Sequence, residues 1–388
     1  MPTVLVVGAG ALLGSPSDAA VSAPCTMRVN IDRTSSVTYS NGVERNEYTV
    51  KVSWGNRSQT AEVHRMVMPP KARPRLVTMK MGALGDLRAQ LESKKGKRGI
   101  AAVNGDFFYD YRIEGDTVYL PKHASVTRGQ PVRVGPDWTQ VVGVDKDGRP
   151  YSGGVGMSGT VTYRNKVFKA DRLNWHTLGS GAIGIYTPRW ADVQNARRPV
   201  GAVEWVVKDG RLVSIRTGNN AGKTVQPNTR VVAFGSNYAS AARRAQVGKA
   251  AQIAIRQETA TGTPLKEAIG RGVEHVERGE VTLSCAARYL EQRPRTTVGW
   301  DAGGRWMTLS LPGSGYDRNG YRIGGLGLAQ EANVAVALGF VNASQLDGGG
   351  STTAMVRRGD GDWDRVDDPD SLWQRPVPNS LIWAKPPR

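Results

Sequence analysis

The sequence is poor in cysteine, histidine and phenylalanine, and it lacks long apolar runs after residue 14. It has 2 Cys, 4 His and 5 Phe in 388 residues. Cys25 and Cys285 are too few and too far apart for a zinc site. In an exported protein they could form one disulfide; otherwise they are two unrelated thiols. A transmembrane helix needs ~18 or more consecutive apolar residues, so we expect no membrane span in the mature chain.

Glycine and positive charge are abundant instead. The chain has 47 Gly, 52 Lys and Arg against 34 Asp and Glu, and a formal net charge of +18. Many glycines beside few phenylalanines indicate turns and short strands. The charge favours polyanionic partners such as phosphorylated sugars or wall polymers, although GC-rich genomes also encode basic chains. The basic residues form no block with aromatic residues, so we expect no nucleic acid partner.

Residues 1–24 allow two interpretations. The segment 4–14 resembles a strand that enters a dinucleotide-binding glycine turn, but residues 15–18 (Ser-Pro-Ser-Asp) would break the helix that must follow. A secretory signal fits better, because an apolar stretch is followed by small residues that end before Pro24. A positive n-region is missing, so we expect the true start to lie further upstream. We predict a signal peptide over 1–24 and a secreted or cell-wall-associated protein.

The rest of the chain is typical of one sheet-rich α+β domain with a few flanking helices. Residues 26–70 alternate apolar and polar side chains, which predicts strands separated by turns. Leucines at helical spacing predict a helix over 83–94, and the segments 296–300 and 306–311 predict a hairpin. We assign 25–98 to N-terminal strands and a helix that pack on a catalytic core of residues 99–388.

Three consecutive glycines follow Asp347 in the segment Leu346–Thr353. An apolar, helix-like run over 325–340 precedes the segment, and a short apolar stretch over 354–356 follows it. Three glycines lose more backbone entropy than a plain turn requires, which favours a nest of backbone N–H groups that binds an anion. A hairpin turn without a ligand is the alternative.

Polar residues beside glycine or proline are concentrated in four segments: AVNGDFF (102–108), RPRTTVGWD (293–301), QLDGGGSTTAMV (345–356) and QRPVPNSL (374–381). In this order and at these spacings they resemble the phosphodiester glycosidase family, whose pattern is NGDFF, PRT-x-x-G, LDGGGS-T and R-x-V-x-N. The resemblance extends over about residues 60–385. Thr297 and Arg293 differ from the Ala and His that are frequent in the family. The missing His puts in doubt any mechanism with a proton donor at that position.

The resemblance implies hydrolysis of a sugar-1-phosphodiester at the glycosidic bond, which releases the sugar and a phosphomonoester. Such a leaving group needs cationic stabilisation more than a strong acid, and a carboxylate must attack or activate water. Asp347 and Asp106 are the candidate catalytic residues, with a narrow preference for Asp347; a turn-capping role is the alternative for each. The predicted substrate-binding residues are Asn104, Arg295, Thr296, Gly348, Gly349, Gly350, Ser351, Thr352, Arg375 and Asn379.

Within this set we expect the arginines to bind phosphate together with the glycine nest and the hydroxyls of Ser351 and Thr352. The two asparagines are expected to bind sugar hydroxyls or an acetamido group. The substrate is then a phosphorylated glycan or a small sugar-1-phosphodiester. Two alternatives stay open, namely P–O cleavage by a phosphodiesterase and a non-catalytic binder of anionic polysaccharide. The sequence requires no cofactor, leaves calcium open, and identifies neither the sugar nor the oligomeric state.

Overall fold

The structure, a computed structural model, describes residues 24–79, 81–93, 98–113, 116–190, 199–222, 225–316, 318, 322–368 and 374–385. The predicted signal segment lies outside these ranges, apart from Pro24. Strand accounts for 52% of the structure and helix for 11%. The sheet-rich prediction is therefore confirmed, while the fold is mainly β and its helical part is smaller than an α+β description implies.

The helices of the described residues are short. They are α1 (Leu87–Glu92), α2 (Ala239–Arg243), α3 (Ala287–Leu290) and α4 (Leu328–Ala337). Helix α1 is shorter than the predicted helix over 83–94 and begins where the Asp86 carboxylate accepts a hydrogen bond from the Ala89 amide at 2.6 Å. Helix α4 lies inside the apolar run over 325–340. In this part of the chain, no helix combines the length and the apolar character needed to cross a bilayer.

Sheet A joins the N-terminal strands to strands of residues 274–345. Its strands lie in the order β1 (Arg28–Thr38), β2 (Glu44–Trp54), β3 (Arg57–Val67), β23 (Trp306–Leu311), β22 (Arg295–Trp300), β26 (Asn342–Gln345), β20 (Glu274–Glu277) and β21 (Glu280–Val281). The predicted hairpin is confirmed as β22 and β23, which pair antiparallel. The N-terminal strands are part of this sheet because β3 pairs with β23.

Sheet B contains the last strand of the described chain at an interior position. Its order is β28 (Trp363–Arg365), β27 (Ala354–Arg357), β5 (Gly99–Asn104), β29 (Asn379–Ala384) and β4 (Arg73–Thr78). Strand β5 has every residue buried. A strand that is covered on both faces requires a continuous apolar run rather than an alternating one, which explains the sequence GIAAV before Asn104.

Two further sheets and two hairpins complete the fold. Sheet C has the order β12 (Lys166–Ala170), β11 (Pro150–Tyr163), β10 (Thr139–Asp145), β19 (Leu265–Gly270), β8 (Ser125–Thr127) and β9 (Gln130–Arg133), and β18 (Ala251–Thr259) also pairs with β11. Sheet D has the order β13 (Arg172–Leu173), β14 (Ile183–Tyr186), β17 (Thr229–Phe234), β15 (Val203–Lys208) and β16 (Arg211–Arg216). The hairpins are β6 (Phe108–Ile113) with β7 (Asp116–Pro121), and β24 (Gly315–Tyr316) with β25 (Arg322–Ile323).

Apolar side chains stack sheets A and B between two helices. Helix α4 packs on one face of sheet A in a core that includes Leu309. The other face of sheet A meets sheet B through residues such as Val298 and Leu381. Helix α1 covers the outer face of sheet B, where Leu87 packs with Ile382. The four layers therefore follow the order α4, sheet A, sheet B and α1.

A disulfide ties the N-terminal segment to this stack. Cys25 and Cys285 are bonded, with their Cα atoms 4.8 Å apart, which decides between the two alternatives that the sequence left open. Asn333 of α4 accepts a hydrogen bond from the Met27 amide at 2.9 Å and donates one to the Cys25 carbonyl at 2.7 Å. Residues 25–27 are thus fixed both to helix α4 and to the loop between β21 and α3.

Candidate functional site

Asn104 connects three of the four sequence segments at the ends of sheets A and B. Its Nδ2 donates to the carbonyl of Asp347 at 2.7 Å. Its Oδ1 accepts hydrogen bonds from the Thr296 hydroxyl at 2.7 Å and the Thr353 amide at 3.1 Å. Asn104 and Thr296 are both 0% exposed. These two residues therefore hold the segments together, which differs from the ligand contacts predicted for them.

The glycines after Asp347 permit a close approach to the PRT segment. A Cβ at Gly348 would lie 2.7 Å from the Pro294 carbonyl oxygen, and Gly349 has a φ of +61°. The Gly349 amide donates to that carbonyl at 2.9 Å. A side chain at either position is disfavoured, by a clash at the first and by a left-handed backbone at the second. The glycines thus bring Asp347 against the start of β22.

The backbone N–H groups of Gly348, Gly349, Ser351 and Thr352 are bonded within the protein. Gly348 donates to the Asp347 carboxylate at 2.9 Å. In the 3₁₀ turn Gly349–Ser351, Ser351 and Thr352 each donate to the carbonyl three residues earlier at 3.2 Å. These four amides are therefore occupied in the structure, in contrast to the predicted phosphate nest. The loop positions the Asp347 carboxylate and the Ser351 hydroxyl instead, and the Thr352 hydroxyl lies buried without a hydrogen-bond partner among the described residues.

Asp347 carries a half-buried carboxyl group with a perturbed pKa. Burial raises its pKa to about 6, and the negative charge of Asp106 adds a smaller rise. Hydrogen bonds from the Ser351 hydroxyl and the Gly348 amide, together with the charge of Arg375, limit this rise. A general base is most effective when its pKa lies near the working pH. Asp347 is therefore ionised near neutral pH and basic enough to accept a proton.

Arg375 supplies an accessible positive charge beside this carboxylate. The residue is exposed, and its Nη1 donates to the Ser351 hydroxyl at 3.5 Å. Its guanidinium carbon lies 5.1 Å from the ring centroid of Phe108, a cation–π contact that orients the group. A guanidinium has five N–H donors, and the bond to Ser351 uses one. Arg375 therefore has donors available for the phosphate contact that the sequence predicts.

Asp106 is paired with a histidine that the sequence did not single out. The His123 Nδ1 lies 2.6 Å from Asp106 Oδ1, and the His123 amide donates to Oδ2 at 2.8 Å. The Asp106 side chain is 0% exposed, whereas that of His123 is 14% exposed. A carboxylate that binds one imidazole nitrogen fixes the tautomer and orientation of the ring. Asp106 is thus an orienting residue in this geometry, and His123 is the group that a ligand can reach.

Two glycines make room for this pair. A Cβ at Gly270 would lie 2.3 Å from Asp106 Oδ2, and a Cβ at Gly105 would lie 2.1 Å from Asn379 Oδ1. Asn379 accepts a hydrogen bond from the Asp106 amide at 2.9 Å through that Oδ1. The residue is 0% exposed, and its Nδ2 has no hydrogen-bond partner among the described residues. Asn379 therefore supports Asp106 and retains one unused donor.

Arg295 lies on the opposite side of β22 from the site. Successive side chains of a strand point to opposite faces, and Thr296 faces Asn104. The Arg295 guanidinium instead donates to the carbonyls of Leu326 at 2.9 Å and Glu291 at 2.8 Å, and its charge acts on buried Glu331. The residue is 6% exposed. This corrects the expectation that Arg295 binds phosphate.

The site brings together the predicted residues Asp347, Ser351, Arg375, Asp106 and Asn379, and adds His123. In the ranges that the structure describes, no group of three or more His, Cys, Asp or Glu side chains is arranged to hold a metal ion. The side chains of the site can supply a carboxylate, an imidazole and a guanidinium. This set can stabilise an anionic leaving group and activate a nucleophile.

The sequence comparisons agree with the motif-bearing part of this site. Residues 201–383 match the phosphodiester glycosidase family. The range contains the PRT, LDGGGS and R-x-V-x-N segments, while the NGDFF segment precedes it. The resemblance that the motifs predicted is thus confirmed. A comparison with curated proteins gives no match.

Solved structures share the fold at low sequence identity. A hypothetical protein from Synechocystis is 15% identical, with a TM-score of 0.63, and the alignment covers 93% of this chain and 69% of that one. A protein from Burkholderia pseudomallei, described as a candidate exported protein, is 15% identical with a TM-score of 0.67, and the alignment covers 97% of this chain and 100% of that one. The catalytic domain of zebrafish N-acetylglucosamine-1-phosphodiester alpha-N-acetylglucosaminidase, auto-inhibited by its pro-peptide, is 14% identical over 96% of this chain and 86% of that one, with a TM-score of 0.44. The first two support the fold, and the third is too dissimilar to carry an argument.

Proposed function

We propose that this chain is a hydrolase that cleaves a sugar-1-phosphodiester at the glycosidic bond and releases the sugar and a phosphomonoester. The observation that carries the proposal is the Asp347 carboxyl group, with a pKa raised to about 6, beside the exposed guanidinium of Arg375. The match of residues 201–383 to the phosphodiester glycosidases supports the same reaction class.

In the proposed reaction the phosphate lies against Arg375 and the Ser351 hydroxyl, and the anomeric carbon lies near Asp347. The C–O bond breaks, and its electrons and oxygen leave with the phosphate, whose charge Arg375 stabilises. Asp347 either attacks the anomeric carbon or takes a proton from the attacking water. In both cases the water oxygen ends on the sugar.

His123 has a supporting role in this scheme. The Asp106 carboxylate holds the ring through Nδ1 at 2.6 Å, which leaves Nε2 for a hydrogen bond to a phosphate oxygen or to the incoming water. Because a phosphomonoester leaves readily without full protonation, this contact adds stabilisation and is not the main source of rate. The two carboxylates thus differ in role, with Asp347 at the reacting carbon and Asp106 behind His123.

Hydrolysis in ¹⁸O-labelled water distinguishes the proposed reaction from a phosphodiesterase. We expect the label in the sugar, whereas label in the phosphate identifies P–O cleavage and overturns the glycosidase assignment. Several sugar-1-phosphodiesters are tested as substrates, each with and without EDTA. The comparison with EDTA also measures any calcium requirement. A wild-type chain that hydrolyses none of them, while still binding anionic polysaccharide, supports a non-catalytic binder.

We further propose that the chain is exported and acts on a phosphorylated glycan of the cell surface or wall. The Cys25–Cys285 disulfide supports export, because disulfides form and persist mainly in oxidising compartments. Fractionation of the producing cell and N-terminal sequencing of the mature protein test this proposal. We expect a mature N-terminus close to residue 24, and a reduced protein retained in the cytosol contradicts export.

A further inference from the structure

An arginine-lined groove lies between sheets C and D, apart from the residues assigned to the reaction. It has a volume of about 1330 Å³ and contains Arg189, Arg230 and Arg256 as cations with Asp209 as the acidic lining residue. Strand β18 and the residues around β17 both line the groove. The Arg230 guanidinium donates to the Ile253 carbonyl at 3.3 Å, so it lies against the β18 wall. The excess of positive charge fits an anionic ligand.

The groove reaches the strand that borders the candidate site. Thr78 and Met79 line one part of it. Thr78 pairs with Asn379 across β4 and β29, and the Met79 amide donates to the Pro378 carbonyl at 2.9 Å. The groove is therefore one strand away from the R-x-V-x-N segment.

Unused hydrogen-bond donors lie along this connection. The Thr78 hydroxyl is buried and has no hydrogen-bond partner among the described residues, and the same holds for the Asn379 Nδ2 on the paired position. Opposite residues of an antiparallel pair share one face of the sheet. A buried polar atom without a partner is destabilising unless a ligand or water satisfies it. These two groups are therefore unsatisfied donors between the groove and the site.

The lining favours a glycan over single-stranded nucleic acid. Proteins that bind single strands combine positive charge with aromatic side chains on which bases stack. The groove lining contains Thr, Gln and Asn side chains beside its arginines and no aromatic residue among the described positions. Hydroxyl and amide groups match the hydroxyls of sugars, and guanidinium groups match phosphates.

We propose that this groove binds a phosphate-bearing glycan chain and leads it to the Asp347 site. The proposal rests on the function proposed above and specifies its substrate as polymeric. Phosphates along the chain contact the three arginines, while sugar hydroxyls contact the polar side chains between them. Binding in the groove is then separate from bond cleavage at Asp347.

The test measures the affinity for phosphorylated dextran by isothermal titration calorimetry at several NaCl concentrations. The groove variant is Arg189→Gln/Arg230→Gln/Arg256→Gln. The matched control is Arg28→Gln/Arg33→Gln/Arg57→Gln, which removes the same charge from exposed positions of sheet A. We expect the groove variant to lose roughly tenfold or more in affinity and to lower the slope of log K against log salt by about 2 to 3. We expect the control to stay within about threefold of the wild type, because only non-local charge is lost.

Several outcomes overturn the proposal. They are equal losses in the two triple variants, equal binding of unmodified dextran, absence of binding by the wild type, or a single-stranded oligonucleotide that binds the groove as tightly as the phosphorylated glycan. If the triple variant unfolds, the single variant Arg256→Gln replaces it, because Arg256 is exposed. We expect this single variant to bind phosphorylated dextran roughly threefold more weakly than the wild type. An unchanged affinity overturns the proposal.

Activity and binding measurements on the groove variant and on Asp347→Asn distinguish the groove proposal from the proposed reaction. The groove variant is expected to hydrolyse a small sugar-1-phosphodiester within twofold of the wild-type rate, whereas Asp347→Asn is expected to bind phosphorylated dextran normally without hydrolysis. Absence of wild-type turnover therefore contradicts the proposed reaction, while the calorimetric comparison still decides whether the groove binds the glycan.

Discussion

The two sides of strand β22 place carboxylates and arginines in opposite settings. On the side of Thr296, the half-buried Asp347 lies beside the exposed Arg375. On the side of helix α4, Glu331 is 0% exposed and Arg295 is 6% exposed. Burial raises the pKa of both carboxyl groups, to about 6 for Asp347 and to about 7 for Glu331.

A raised pKa therefore does not by itself identify a reacting group. Structural polar clusters in a core perturb titration as strongly as active sites do. The difference lies in access. Arg375 leaves guanidinium donors at the surface, whereas Arg295 donates to the carbonyls of Leu326 and Glu291 inside the protein. The first pair can meet a substrate, whereas the second pair is buried between α4 and sheet A.

The largest expected effect separates the two carboxylates. Asp347→Asn removes the proposed nucleophile or base, and we expect the hydrolysis rate to fall about 10³-fold, with thermal unfolding close to that of the wild type. Glu331→Gln is the matched control and is expected to keep the rate within threefold. Equal activity of Asp347→Asn and the wild type contradicts the catalytic assignment.

The second prediction concerns stability and pH at Glu331. The pKa of Glu331 in the folded protein, about 7, lies above its ordinary value of 4.5, so the fold favours the neutral form. The contribution of protonated Glu331 to the free energy of unfolding is fully present below pH 4.5 and is lost as the pH rises through about 7. We expect Glu331→Gln to match the wild type at pH 4 and to exceed it by about 3 kcal/mol at pH 8. Urea unfolding at the two pH values measures this difference, and an unchanged difference argues against a buried ionisable Glu331.

The two arginines give the next contrast. We expect Arg375→Gln to lower kcat/KM about 10²-fold without destabilising the fold, because it removes charge stabilisation of the leaving phosphate. We expect Arg295→Gln to lower the free energy of unfolding by about 2 to 3 kcal/mol, since hydrogen bonds of a buried charged group are lost. Steady-state kinetics and urea unfolding of both variants test the contrast. A reversed pattern places the phosphate on the α4 side of β22.

The smallest expected effect concerns the space behind His123. Gly270→Ala places a Cβ 2.3 Å from Asp106 Oδ2, so the carboxylate must move and the imidazole loses its orientation. We expect roughly a tenfold loss of kcat, within the range that a misplaced catalytic group produces. Gly179→Ala is the control, because a Cβ there has no neighbour within 4 Å. Similar activities of the two variants remove His123 from the proposed mechanism.

Local patterns predicted the elements, and the motifs predicted which segments form the site. The β22–β23 hairpin and the helix within 325–340 follow from local sequence patterns. The sequence did not predict which face of the sheet Arg295 occupies. The predicted strand began at Thr296, so Arg295 lay outside the alternation of side chains between the two faces of the strand. His123 was missed because it reaches Asp106 only through the return of the β6–β7 hairpin, which pairs Phe108 with Pro121. The backbone bonding of Gly348 to Thr352 depends on the position of Pro294, which no local pattern contains.

The interior position of β29 in sheet B has a consequence for biosynthesis. Strands β4 and β5 each pair with β29, so both present unpaired edges until the last part of the chain leaves the ribosome. Exposed strand edges pair readily with other chains. A premature stop before residue 379 therefore leaves a split sheet that is prone to aggregate, and its product lacks Asn379 behind Asp106. Pairing of β29 with its neighbours and assembly of the site are in this way a single event.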